Sequence, residues 1–226
     1  MPNVYITGSQ GNKNKILVIA GIVGTMQSLG FSCGVYKPIE TGVNLKESKD
    51  LAIIKTVDKY INTYFTYRLE KEDSPLLSAA SEGLVLEQSI ILQKYQSIMN
   101  RNEILIVDGM SGFGTPIAKD FLEDDLVKTL DIPLVFAISA QSTDINNILL
   151  SINRAKEMDI EINGVIVNDY TEEKRLLPKL IEEYSGAKIL GVLPFFENDT
   201  DPSELISETI NNINLENVFK MKIAKL

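Results

Sequence analysis

Short, continuously apolar runs alternate with longer stretches of helical periodicity along the whole chain. The apolar runs predict strands near residues 3–7, 32–37, 103–108, 133–139, 161–167 and 188–193. The spacing between them predicts helices near 15–29, 87–100, 120–130, 143–158, 172–185 and 203–213. In the first helix Ile16, Ile19, Ala20, Val23 and Met26 fall on one face, and Gly30 supplies a stop. Ile104–Val107 and Gly164–Val167 lack any polar alternation, as do strands buried on both faces of a parallel sheet. Strand–helix alternation of this kind predicts an α/β, doubly wound, mostly parallel sheet with helices on both faces. Residues 38–86 break the rhythm with polar turns and weak helical signals. They are expected to be an insertion bearing ligand contacts within one domain spanning 1–226.

Composition narrows the possible chemistry. Apolar residues make up 44% of the 226 positions and the net charge is −9. An acidic balance of that size predicts no nucleic-acid partner, which would need a basic face. No run approaches the ~18 apolar residues of a spanning helix, so no membrane segment is expected. Met1–Tyr5 enter the first apolar run without a charged leader, which predicts a cytoplasmic chain. Cys33 is the single cysteine and reads as a small core residue. Histidine is absent, which removes serine–histidine and cysteine–histidine catalysis and most zinc sites. Catalysis on this chain is left to lysine, carboxylate, hydroxyl, backbone amides or a metal held by oxygen.

Ligands of open parallel sheets bind beyond the carboxyl ends of the strands, and chemically active side chains follow three of the predicted ones. After the first comes Thr7-Gly8-Ser9-Gln10-Gly11-Asn12-Lys13-Asn14-Lys15-Ile16, a glycine-bearing turn into a helix, suited to an anion. Lys15 stands where a phosphate-loop lysine would, but Asn14 replaces the usual glycine and Ile16 the usual hydroxyl. Asn14 tolerates left-handed backbone angles and is expected to preserve the turn on that account. After the second strand comes Lys37-Pro38-Ile39-Glu40-Thr41-Gly42, and after the third Asp108-Gly109, whose aspartate is of the Mg²⁺-holding kind.

These segments, with Ser74-Pro75-Leu76-Leu77-Ser78-Ala79-Ala80-Ser81-Glu82-Gly83, Thr115-Pro116, Asp144-Ile145-Asn146, Val167-Asn168-Asp169 and Gly191-Val192-Leu193-Pro194, occur in the order of the dethiobiotin synthetase family, which the chain resembles from residue 4 to about 200. The resemblance implies ATP- and Mg²⁺-dependent carboxylation and ring closure of 7,8-diaminononanoate in biotin synthesis. It implies that Lys15 holds phosphate oxygens and that Lys37 steadies the carbamate and the migrating phosphoryl group. Thr41, Gly11 and Ser111 would meet the substrate, and Asp50 and Asp108 the metal. Gly8, Asn12, Lys13, Asn14, Lys15 and Ile16 would wrap the nucleotide phosphates. Asn168 would read the adenine edge, with Pro194, Phe195 and Phe196 beside the base. A small-molecule substrate and a homodimer are the implied partners.

The departures are local. Residues 10–16 lack the loop glutamate, the glycine and the metal-binding hydroxyl of the family pattern. Met110-Ser111 replace a glycine-rich stretch, and Gln141, Thr143 and Asn147 replace the lysine, glycine and histidine of the family's interface segment. Two alternatives therefore stay open beside the synthetase: a non-catalytic nucleotide- or anion-binding homologue, and an ATP-dependent ligase for another substrate.

Overall fold

The computed structural model describes residues 2–8, 14–43, 48–110, 112–141, 144–197 and 199–223. Its frame follows the alternation of the sequence. In chain order the elements are β1 (Asn3–Gly8), α1 (Lys15–Ser28), β2 (Cys33–Glu40), α2 (Lys49–Val57), β3 (Asn62–Arg68), α3 (Pro75–Ser81), α4 (Gln88–Ile98), β4 (Ile104–Asp108), β5 (Pro116–Ala118), β6 (Phe121–Leu122), α5 (Glu123–Leu130), β7 (Leu134–Ser139), α6 (Ile145–Glu157), β8 (Ile162–Asn168), α7 (Leu177–Ser185), β9 (Ile189–Val192), α8 (Pro202–Asn212) and α9 (Leu215–Phe219). Seven strands form one sheet in the order β3-β2-β4-β1-β7-β8-β9, every pairing parallel, while β5 and β6 form a small antiparallel hairpin.

Two cores lie on opposite faces of the sheet. On one, α1, α2, α8 and α9 pack against β1, β2 and β4 through residues such as Ile19, Ile54, Leu205 and Val218. On the other, Ile91, Leu126, Ile148 and Ile181 bring α4, α5, α6 and α7 against the same strands and their neighbours. The expected doubly wound architecture is the one observed. β1 sits centrally, and the chain winds one way through β2 and the other way through β7. That reversal is the switch point at which open sheets of this class leave a crevice.

Three expectations change in detail. Residues 38–86 are not a simple insertion: β2 runs to Glu40, and α2, β3 and α3 extend the sheet by one more strand. β3 (Asn-Thr-Tyr-Phe-Thr-Tyr-Arg) is an edge strand with no fully buried position, so it lacks the apolar run that marks the inner strands. The helix read from residue 120 starts at Glu123, behind the β5–β6 hairpin, and the one read from 172 begins as a short 3₁₀ turn before α7. Finally, α1 is not one-sided: all residues from Lys15 to Met26 are buried, as befits a central helix apolar on its whole circumference.

Burial on all sides is possible because α1 carries glycines where neighbouring helices approach. A Cβ built on Gly21 would come within 2.2 Å of the Thr209 hydroxyl oxygen on α8, and one on Gly24 within 2.3 Å of Val57 Cγ1. The Thr209 hydroxyl is itself held by the Leu205 carbonyl at 2.8 Å, so it has little room to yield. Helix propensity alone favours Gly21→Ala by about 1 kcal/mol. Packing reverses the sign, and we expect Gly21→Ala to destabilise the protein by about 1–3 kcal/mol in urea unfolding.

Candidate active site

The carboxyl ends of β1, β2 and β4 bring together side chains far apart in sequence. Asp108 closes β4 and is fully buried. Its Oδ1 is ion-paired to Lys15, the first residue of α1, and its Oδ2 accepts from Lys37 of β2 at 2.8 Å. Lys37 also pairs with Asp50 in the first turn of α2. Lys15 donates in addition to the Gly109 carbonyl at 2.8 Å. The result is a chain of alternating charge, Lys15–Asp108–Lys37–Asp50, in which each buried charge has a partner. An unpaired charge at this depth would cost several kcal/mol.

Electrostatics follow from burial. Lys15 is pushed down to about 7 by its removal from water and by the neighbouring Lys37 charge, against the opposing pull of Asp50 and Glu123. Burial alone would raise the Asp50 carboxyl, but the Lys37 ammonium and, further off, Lys15 hold it below its ordinary value. Lys15, Lys37 and Asp50 line the floor of a cleft of about 910 Å³, with Asp108 buried beneath them. Its walls include Thr41, Glu72, Ser74 and Pro75 on one side and Phe113, Asn147, Leu150 and Arg154 on the other. A charged floor beneath mixed walls suits a small molecule with an anionic group.

The remaining sequence-predicted residues fall as follows. Gly8 ends β1, and its amide reaches the Met110 carbonyl at 3.4 Å. Gly11, Asn12, Lys13 and Ser111 lie outside the described residues, as does Thr143. Ile16 is buried in the core beneath α1 and touches the cleft from that side. Asn14 does not adopt left-handed angles: its φ of −92° and ψ of 6° are ordinary, and its amide instead donates to Asp169 Oδ1 at 2.8 Å. The turn into α1 is thus tied across the sheet to the end of β8. Asn168 is buried at that end, its amide donating to Asp169 Oδ2 at 3.0 Å. Phe195 is exposed and Phe196 buried, and with Asn14 they border a second, shallower recess of about 480 Å³. Pro194 precedes them in the same segment. Lys15 and Ile16 thus border the larger cleft, and Asn14, Phe195 and Phe196 the shallower recess.

Two acidic positions escape a reading of the sequence. Asp169, at φ +55°, gathers donors from Asn14, Ser139 and Asn168. Glu123, fully buried at the start of α5, accepts from the Met110 amide at 2.7 Å, the Thr7 hydroxyl at 2.8 Å and the Tyr5 hydroxyl at 3.2 Å, all on Oε1. It links the ends of β1 and β4, and Gly109 permits the approach, since a Cβ there would lie 2.4 Å from that oxygen. In sequence, Glu123-Asp124-Asp125 looks like an ordinary acidic first turn, and nothing in it marks the first carboxylate as buried.

The donor set also bears on a divalent cation. Among the described residues no group of three or more carboxylate, cysteine or histidine ligands converges. Asp50 and Asp108 do converge on a single cation, the Lys37 ammonium. Two carboxylates with phosphate oxygens and water are a donor set that Mg²⁺ accepts, so these two residues fit it, while Ile16 adds no ligand. No helix among the described residues is long and apolar enough to cross a membrane.

Comparison with known proteins agrees with this fold. The model of a family described as an AAA domain matches residues 2–203. The ATP-dependent dethiobiotin synthetase BioD of Bacillus cereus (strain G9842) is 29% identical over 214 residues, covering 91% of this chain and 88% of that protein. The protein of the same name from Nitrosopumilus maritimus (strain SCM1) is 25% identical over 235 residues, covering 99% and 97%. Among solved structures, the MinC:MinD cell division protein complex of Aquifex aeolicus aligns with a TM-score of 0.61 at 15% identity, covering all of this chain and 99% of that one. An ATP complex of Cyanothece McdA aligns at 0.62 and 11% identity, covering 99% and 98%. At these identities the structural likenesses establish the fold.

Glu123 generates a pH-dependent expectation. Burial raises its carboxyl from 4.5 to about 7, against the hydrogen bonds from Thr7, Met110 and Tyr5 and the Lys15 charge. Between those pH values the folded protein keeps a proton that the unfolded chain releases, so stability falls as pH rises through the window. The loss from this group is on the order of 3 kcal/mol. Glu123→Gln keeps a neutral acceptor in place. In urea titrations between pH 4.5 and 7 the variant should show a markedly flatter dependence than the native protein.

Proposed function

This chain belongs to the AAA domain family, as a dethiobiotin synthetase-like P-loop NTPase, and from that premise we propose that it closes a cyclic urea on 7,8-diaminononanoate at the expense of ATP. A single domain, residues 1–226, would carry the reaction. The observation that supports the reading is the Lys15–Asp108–Lys37–Asp50 chain, set beneath a cleft at the switch point of the sheet. The reaction needs no histidine and none is present. It needs positioning and neutralised negative charge, which two buried ammonium groups supply.

In this reading a substrate amine adds to CO₂ and loses a proton, giving a carbamate. The carbamate oxygen attacks the γ-phosphorus and ADP leaves. The second amine then attacks the carbonyl carbon, inorganic phosphate departs, and the ring closes. Lys37 exchanges its Asp50 and Asp108 partners for the carbamate and the moving phosphoryl group, and Lys15 holds the phosphate oxygens it reaches from the first turn of α1. Thr41, which lines the cleft just past β2, is assigned to contact the substrate. Asp50 and Asp108, once released, are the residues that would hold Mg²⁺. When bound, that ion neutralises charge on the phosphates. Asn168 and the Pro194–Phe196 segment are assigned to the base, and a cytoplasmic homodimer is the assembly this reading carries.

One observation favours a second reading, a homologue that binds an anion without turning it over: Ile16, where a hydroxyl would meet the metal, is committed to the core. Calorimetry with ATP and Mg²⁺, followed by CO₂ fixation into 7,8-diaminononanoate, separates the two. The synthetase reading expects nucleotide binding and product. Binding without product favours the second reading, and absence of binding at millimolar ATP overturns the first. Lys37→Met should lower turnover by at least about a hundredfold while the fold persists. Ile16→Thr should raise ATP affinity in Mg²⁺ but not in EDTA, which paired titrations would reveal.

A further inference from the structure

The peptide that joins Gly109 to Met110 lies between two buried groups of opposite charge type. Its N–H donates to Glu123 Oε1 at 2.7 Å, and its carbonyl accepts from the Lys15 ammonium at 2.8 Å. A trans peptide is planar, with N–H and C=O pointing in opposite directions. Whatever holds the amide therefore also aims the carbonyl. In the next peptide the Met110 carbonyl meets the Gly8 amide at 3.4 Å and the Thr7 hydroxyl at 3.3 Å, where β1 ends. One glutamate of α5 thus stands behind the segment on which both Lys15 and the end of β1 lean.

The Glu123 carboxyl group divides its work unequally. Oε1 takes the donors from Tyr5, Thr7 and Met110, whereas Oε2, also buried, has no hydrogen-bond partner among the described residues. In the neutral form the proton belongs on Oε2, so Oε1 accepts from the Met110 amide in either form. Lys15, Gly109 and Met110 are among the described residues that line the cleft, and Glu123 is not, so its effect on a ligand is indirect. An ammonium has three N–H donors. On Lys15, Asp108 Oδ1 takes one and the Gly109 carbonyl a second, and the described residues offer the third no acceptor. With two donors of a tetrahedral group fixed, the direction of the third is set.

We infer that Glu123 is the positioning residue of Lys15: through the Gly109–Met110 peptide it directs the remaining ammonium N–H towards a phosphate-type anion in the cleft. The inference rests on Lys15 holding phosphate oxygens, as in the synthetase reading, and adds the group that aims it.

The test is calorimetric titration with ATP in Mg²⁺. Glu123→Met, which offers no acceptor, should lose at least about tenfold in affinity, the scale of a hydrogen bond in a charged network. Glu123→Gln keeps an acceptor oxygen for the Met110 amide and should stay within about threefold of the native protein. Tyr5→Phe removes a different donor from the same carboxylate. It should lower the urea midpoint yet leave ATP affinity within about twofold, which separates the aiming of Lys15 from general damage to the core. Should Glu123→Met not fold, Glu123→Asp replaces it, drawing the carboxylate back by about 1.5 Å, with an expected loss of at least about fivefold. Affinity of Glu123→Met or its replacement within about twofold of native overturns the inference, as does an equal loss in Tyr5→Phe or in Glu123→Gln. The synthetase reading stands in each of those cases. If the native protein binds no ATP at millimolar concentration, both fall together.

Discussion

A fully buried aspartate held between two lysines organises this molecule. Asp108 ends a strand with no exposure to water, and an isolated carboxylate there would be costly. Its two oxygens are met by Lys15 from the helix after β1 and by Lys37 from β2. Three neighbouring strands are therefore held in register at their carboxyl ends by charge, where sheet hydrogen bonding gives out. The same contacts hold two ammonium groups at the floor of the cleft, so fold stability and the charge of the cleft share one set of atoms.

Behind that chain of charge stands a second buried acid with a different task. Glu123 gathers a tyrosine hydroxyl, a threonine hydroxyl and a backbone amide on one oxygen, fastening the segment after β4 to the end of β1. Burial and the Glu123 charge together raise the Tyr5 hydroxyl well above its ordinary range, so it stays protonated and donates to Glu123. Gly109 sits between these groups because any side chain would strike the Tyr5 ring. Its carbonyl then receives Lys15. The glycine after the aspartate is thus required by the packing behind it.

The first helix shows a competition between core and site. Its residues from Lys15 to Met26 are all buried, and Ile16 contributes to the core where related chemistry uses a hydroxyl. An isoleucine there adds apolar burial worth about 1.5–3 kcal/mol and offers no oxygen to the cleft it borders. Asn14 is drawn into the same arrangement, since its amide is spent on Asp169 across the sheet.

What the sequence determined by itself was what depends on local pattern. Inner parallel strands are buried on both faces, so β1, β4, β7 and β8 announce themselves as apolar runs, and the class of fold follows from their alternation with helices. Lys15, Lys37 and Asp108 were legible because each lies near or beyond the carboxyl end of a predicted strand, where a crevice opens. Tertiary structure decided the rest. The edge strand β3, only half buried, carries no comparable run. The burial of Glu123 and Asp124, the convergence of Asp50 and Asp108 on one ammonium, and the turning of Arg154 into the cleft join residues 13 to 118 positions apart. No periodicity within one element encodes such a contact, because a carboxylate's environment is set by whatever other strands and helices close over it.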